Sequence, residues 1–309
     1  MVKILVTSAS FAKFNKNIID ELEKKGCKIE FSIPFDVKDI TNAEGLIVGL
    51  EKIDATVIDE AKKLKIISKH GVGVDNIDLE YARSKGIIVS NTPETNNDAV
   101  ADLAFGLMIS AARSIPQANN DIKRNTWPRY DGRSVWKKTL GVIGLGSIGK
   151  GVAKRGKGFS MNVLGYDITE KTSEERDIGI DRVSLEELIT SSDYISLHVP
   201  LNKYTEHMIS TREFDLMREN AVLINSARGG LINEKALYEA LYNKKILACA
   251  LDVFEVEPPE NNKLLTLDNL IVTPHMGAYT VESGELMSQK AAQNISSYLL
   301  HDKILNQVN

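Results

Sequence analysis

Short apolar runs rich in Val and Ile recur along the chain, each separated from the next by a longer charged stretch whose apolar positions repeat at helical spacing. In the first hundred residues the runs at 3–7, 28–33, 45–48, 66–68 and 87–90 predict strands. The stretches at 15–25, 56–63 and 79–85 predict helices, the first stopped by Gly26. Strands this apolar have no solvated face, so the alternation predicts a parallel sheet covered by helices on both sides. Residues 97–113, NDAVADLAFGLMISAAR, read as one long apolar-periodic helix with Gly106 as its only breaker, and a polar, turn-rich stretch follows at 119–136. A second alternation then begins. Its strands are expected at 139–143, 161–166, 194–197, 221–225, 246–251 and 270–272, and its helices at 147–157, 184–190, 211–217 and 234–242. A last helix is expected over 283–300. With no short repeat and no low-complexity tract, the pattern predicts an α/β protein of two doubly wound parallel-sheet units, joined through the helix around residue 100.

Composition narrows the class. The chain has 309 residues, enough for two compact units, and 43% of them are hydrophobic. Lys and Arg number 38 against 42 Asp and Glu, a net charge of -4, so the broad basic footprint that nucleic acid requires is missing. Cys27 and Cys249 cannot build a disulfide framework, and no CxxC or Cys/His cluster suggests a metal. The opening MVKILVTSAS is too short an apolar run for a signal peptide, and no run reaches the ~18 residues that span a bilayer. A cytoplasmic protein with neither membrane nor nucleic-acid partner is expected.

The most specific segment is Gly141-Val-Ile-Gly144-Leu-Gly146-Ser-Ile-Gly149, which follows an expected strand and opens an expected helix. Gly144 permits the tight turn, Gly146 lets the backbone approach a pyrophosphate, and Gly149 lets helix and strand pack closely. Phosphates would then sit on the unpaired N–H groups of the helix start. The next strand ends at Asp167, whose carboxylate suits ribose hydroxyls and repels a 2′-phosphate. No Arg follows it directly, so NAD is preferred to NADP. Because the fingerprint lies mid-chain, the preceding residues must form a separate unit, with substrate expected between the two.

Three later segments each end an expected strand, where open α/β sheets place ligands. They carry Arg228 in NSARGG, Glu257 in DVFEVEPP and His275 in TPHMG. An Arg fork binds a carboxylate and polarises a neighbouring carbonyl, a His exchanges an alcohol proton, and a Glu paired with it stabilises the imidazolium. Each residue alone has a plainer reading: a surface ion pair, a loop histidine, a solvated turn. Their joint occurrence behind a dinucleotide fingerprint favours chemistry. His198, at a strand end in SLHVP, could line the cofactor cleft. In the first unit His70 precedes Gly71-Val72-Gly73, where the N–H groups of Val72 and Gly73 would make a backbone nest for an anion.

On these residues the chain resembles the D-isomer-specific 2-hydroxyacid dehydrogenase family. The matched stretches are HGVGVDNID (70–78), SNTPETNNDAVADLAFGLM (90–108), GVIGLGSIGK (141–150), SLHVPLNKYTEHMI (196–209), INSARGGLINEKAL (224–237), LDVFEVEPP (251–259) and TPHMGAYT (273–280). The resemblance implies a Rossmann NAD-binding domain inserted in a flavodoxin-like substrate domain, divided as 99–283 and as 1–98 with 284–309, in a subunit that normally dimerises. It implies that Arg228, Glu257 and His275 are catalytic. Asp252 would contact the nicotinamide carboxamide, and Val72 with Gly73 would clamp the substrate carboxylate. Ser147 and Ile148 match positions at the pyrophosphate; Thr205, Ala227 and Gly277 match others in the cofactor cleft. Short-form D-3-phosphoglycerate dehydrogenases are the most similar subgroup, which implies a step of serine biosynthesis, without the regulatory extension of longer members. The loop Gly49-Leu50-Glu51-Lys52 departs from the Arg-bearing loop of many such enzymes. Lys52 or Lys69 could hold a distal phosphate instead, and glyoxylate or hydroxypyruvate reduction stays open. So do a dehydrogenase for a substrate such as phosphite and a non-catalytic NAD(H)-sensing corepressor.

Overall fold

The computed structural model describes residues 1–309. Two compact units emerge, Met1–Asn96 with Ala278–Asn309, and Asn97–Gly277. The boundaries therefore fall at 96/97 and 277/278, not at 98/99 and 283/284. The reason is local: the long helix Asn97–Arg113 belongs from its first residue to the second unit, and the strap ahead of the helix Val281–His301 belongs with that helix to the first.

The first unit is a parallel sheet of β1 (Val2–Val6), β2 (Cys27–Phe31), β3 (Gly45–Val48), β4 (Ile66–Lys69) and β5 (Ile88–Ser90). Its order, β2-β1-β3-β4-β5, is that of flavodoxin-like folds. Successive side chains point to opposite faces, so each strand feeds two cores. Ile4, Val6, Ile47 and Ile66 pack with Ile18 and Leu22 of the helix Asn17–Lys24 and with Ala291 and Ile295 of the returning helix. Leu5, Leu46, Val48 and Ile67 pack on the other side with Val57, Ile58 and Ala82. The returning helix lies hard on the sheet: a Cβ on Gly45 would come within 2.6 Å of Ile295, and Ser68 Oγ donates to the Ala291 carbonyl at 3.1 Å. The exposed edge at β5 is covered by the last residues, Val308 N–H donating to the Val89 carbonyl at 2.9 Å.

The second unit holds β6 (Thr139–Ile143), β7 (Asn162–Tyr166), β8 (Asp181–Arg182), β9 (Tyr194–Leu197), β10 (Val222–Asn225), β11 (Ala248–Leu251) and β12 (Leu270–Val272). They order as β12-β11-β10-β9-β6-β7-β8, a Rossmann sheet whose strand order reverses between β6 and β9. On one face Ala101, Ala104, Phe105 and Met108 of Asn97–Arg113 meet Leu140, Val222, Ile224 and Ala250; the small alanines let the long helix lie close to the strands. On the other, Leu188, Phe214, Leu237 and Leu241 cover Ile195, Leu197 and Leu223.

The stretch expected to be irregular after Arg113 instead contains the helix Ile115–Lys123, which buries none of its residues and whose few apolar positions, Ile115, Ala118 and Ile122, give only a weak helical signal. The helix Ser173–Ile178 and the two-residue β8 were likewise not expected. No single helix is long and apolar enough to cross a membrane. Both cysteines are free and buried.

Candidate active site

β6 runs into the glycine turn. Gly144 has φ +94°, and a Cβ there would press on the His198 backbone at 2.6 Å, so only glycine fits. A Cβ on Gly149 would overlap the Gly144 carbonyl oxygen, whereas one on Gly146 would meet nothing. The space over Gly146 is therefore open. The helix Ser147–Gly158 starts there with no side-chain cap, and the N–H groups of Ser147 and Ile148 donate to nothing in the protein. Beside it, His198 pairs through Nε2 with Ser196 Oγ at 2.8 Å and leaves Nδ1 shielded and without a partner. Burial pushes this imidazole down to about 4, so it is neutral. An open glycine turn, an uncapped helix start and an orphaned imidazole nitrogen fit a dinucleotide pyrophosphate.

Asp167 follows β7 as expected. It accepts from Leu145 N–H at 2.7 Å and from the Thr169 N–H and hydroxyl at 2.9 Å. Burial raises its carboxyl, but those hydrogen bonds and the Arg182 charge hold it below the usual range. Arg182 is a residue the sequence reading missed. It approaches this loop, donating to the Asp167 carbonyl at 2.8 Å, while its Nε and Nη2 are held by buried Glu175 at 2.7 and 3.1 Å. That guanidinium shapes the loop and is not presented to a 2′-phosphate.

The catalytic candidates sit on neighbouring strands, because β9, β10, β11 and β12 pair in parallel and end together. After β10, Asn225 accepts Ala227 N–H at 3.0 Å and donates to the Arg228 carbonyl at 2.8 Å, closing the turn that presents Arg228. Gly229 allows no Cβ, because one would overlap the Phe254 backbone. After β11, Glu257 Oε1 accepts Phe254 N–H at 3.0 Å. After β12, His275 takes φ +48°, a left-handed conformation fixed by its N–H on the Asp252 carbonyl at 2.8 Å. Its Nδ1 lies 2.7 Å from Glu257 Oε2, so Nε2 is the nitrogen left for exchange. Burial raises the Glu257 carboxyl, but the His275 and Phe254 hydrogen bonds and the charges of His275 and Arg228 outweigh it and keep the group ionised.

In the first unit β4 ends at Lys69, and the N–H groups of Val72 and Gly73 donate to nothing, while the Val72 carbonyl is held by Asn91 Nδ2 at 2.7 Å. His70 is a packing residue: its nitrogens meet Ser8, Ser10 and Ser288 hydroxyls at 3.0–3.2 Å.

Against known proteins, residues 105–277 match the family model "D-isomer specific 2-hydroxyacid dehydrogenase, NAD binding domain". The chain belongs to the D-isomer specific 2-hydroxyacid dehydrogenase family. Among members of this dehydrogenase family, the D-3-phosphoglycerate dehydrogenase of Methanocaldococcus jannaschii is 46% identical over 317 aligned residues, covering 100% of this chain and 60% of that protein. The chain thus spans about three-fifths of the length of that relative. The hydroxypyruvate reductase of Thermotoga maritima is 44% identical over 253 residues, 80% of this chain and 82% of its own. The solved D-lactate dehydrogenase from Aquifex aeolicus, complexed with NAD and lactic acid, superposes with a TM-score of 0.86 at 30% identity, covering 97% of this chain and 96% of that one.

Several positions that the dehydrogenase resemblance brought in have structural duties here. Asp252 is buried and fully engaged: it accepts from Thr273 Oγ1, Met276 N–H and Gly277 N–H at 2.5–2.8 Å, which shapes the turn bearing His275. Thr205 closes its own loop, donating to the Pro200 carbonyl at 2.6 Å. Ala227 packs on the core beside Arg228. Lys69 and Lys52 are the two residues expected to hold a distal phosphate. Lys69 is buried, with its ammonium on the Gly49 carbonyl and on Asn76 Oδ1 at 2.8 Å. Lys52 is 80% exposed and faces Asp54.

Proposed function

We propose that the chain is an NAD-dependent D-2-hydroxyacid dehydrogenase acting on the CH–OH group of a small 2-hydroxy acid. The observation that carries this reading is the pairing of His275 Nδ1 with Glu257 Oε2 at 2.7 Å, with the Arg228 charge acting on the same carboxylate. The Gly146 turn and the start of the helix Ser147–Gly158 would hold NAD, which would supply the hydride acceptor, or the donor when reduced. His275 takes the C2 hydroxyl proton at Nε2 during oxidation and returns it during reduction. Glu257 stabilises the imidazolium in between. Arg228 polarises the C2 keto oxygen, and the Val72 and Gly73 N–H groups hold the C1 carboxylate. Asp167 would accept from the adenosine ribose hydroxyls, which favours NAD over NADP.

Two substrate classes follow from the relatives: D-3-phosphoglycerate with 3-phosphohydroxypyruvate, hence serine biosynthesis, and glyoxylate or hydroxypyruvate. We further propose a homodimer joined through the face around Ile115 and Ile122 of the helix Ile115–Lys123. That helix buries nothing of its own, and Trp127 and Trp136 stand exposed beyond it in sequence. Light scattering would report a mass of one subunit if that face were unpaired.

The test of the reading mixes NADH with 3-phosphohydroxypyruvate, hydroxypyruvate, glyoxylate and pyruvate and follows nicotinamide absorbance. Turnover with at least one acid is expected. Binding of NADH with no turnover of any acid would replace the enzyme by an NAD(H)-sensing role.

A further inference from the structure

In the first unit the strand order reverses between β1 and β3, and ligands of open α/β sheets bind at the carboxyl ends of strands at such a reversal. Glu51 spans it. Its Oε2 accepts from the hydroxyl of Thr7, just past β1, at 3.1 Å and from the N–H of Gly49, just past β3, at 3.0 Å. Oε1 takes no partner from the chain. The Gly49 carbonyl in turn receives the Lys69 ammonium and, at 3.2 Å, Asn76 Nδ2. Lys69 Cε lies 3.1 Å from where a Cβ on Gly71 would stand. Lys69 thus links the loop of Glu51 to the turn that carries the N–H groups of Val72 and Gly73.

The charges of this region are few. Lys69 is its buried cation and Glu51 its carboxylate, while Asp75, close in sequence, is exposed. His70 adds none, because burial and the Lys69 charge push it down to about 4. One ammonium and two backbone donors suit one monoanionic group, the C1 carboxylate of the substrate. A second anionic group that enters this loop region meets the Glu51 carboxylate.

We infer that Glu51 sets the substrate class of this site, admitting 2-keto acids with an uncharged distal group and rejecting those that end in a phosphate. The inference rests on the dehydrogenase reading above. A dianion at about 8 Å from one carboxylate, with an effective dielectric near 40, is disfavoured roughly thirtyfold.

The experiment compares kcat/KM for hydroxypyruvate and 3-phosphohydroxypyruvate, with NADH, in the native chain and in Glu51→Gln, which keeps an oxygen for Thr7 and Gly49. The native chain should prefer hydroxypyruvate, and rising salt should narrow its preference. In Glu51→Gln the phosphorylated-to-free ratio should rise about tenfold or more, through KM and not kcat. A native chain that prefers the phosphorylated acid overturns the inference, as does a ratio that Glu51→Gln leaves unaltered. If Glu51→Gln fails to fold, the native preference and its salt dependence decide alone. Absence of turnover with every 2-keto acid instead strikes the dehydrogenase reading beneath it.

Discussion

His70 and His275 both follow strands of parallel sheets, one in each unit, and their surroundings give them opposite work. His70 is 6% exposed, ringed by three serine hydroxyls and edged by the Phe11 ring at 5.9 Å. Hydroxyls can donate or accept, so they satisfy a neutral ring, and desolvation keeps it neutral. His275 is half-exposed and faces an ionised carboxylate, which stabilises a proton when one arrives. The partner's charge and access to solvent, more than position after a strand, separate a packing imidazole from a candidate proton carrier.

The sharpest way to break this contrast is His275→Gln. Loss of the proton carrier should lower kcat about 10³-fold, near 4 kcal/mol, while the NADH dissociation constant measured by fluorescence changes less than threefold. His70→Leu should do the reverse. It leaves hydroxyls of Ser8, Ser10 and Ser288 without their ring partner, so urea denaturation should show a loss of about 3 kcal/mol, with kcat per folded molecule nearly kept.

pH tests the burial of His70 directly. The His70 pKa is about 4 in the folded chain against 6.5 unfolded, so its contribution is fully present above pH 6.5 and is lost as pH falls toward 4. At pH 5 the loss is about 2 kcal/mol, and His198, lowered in the same way, adds to it. A flat urea midpoint between pH 7 and pH 5 would contradict both burials. The smallest effect is expected for Glu257→Gln, about tenfold in kcat, because His275 then keeps its place but loses a charged partner. A kcat equal to that of the native enzyme would show that the carboxylate only orients.

Much of this was legible in the sequence, and the limits have physical causes. Runs such as Gly45–Val48, Thr139–Ile143 and Tyr194–Leu197 were placed to the residue because both their faces are buried, which enforces an unbroken apolar signal. Ile115–Lys123 has no buried face and left no such trace. Ser173–Ile178 did leave one, the capping box of Thr172 and Glu175, which was overlooked. The candidates Arg228, Glu257 and His275 come from strand ends and motif spacing, and the structure pairs two of them, His275 with Glu257. The duties of Asn225, Asp252 and Lys69 were not legible, since they depend on partners such as Arg228, Gly277 and Gly49 that only folding brings within reach.

The turn bearing Arg228 touches the Phe254 main chain at Gly229, with room for a hydrogen atom and no more. Guanidinium and carboxylate are thereby geared like two teeth on one wheel: thermal drift of either loop must carry the other along. Crystallographic displacement parameters for these two loops should rise and fall in step across temperature, even where neighbouring segments diverge.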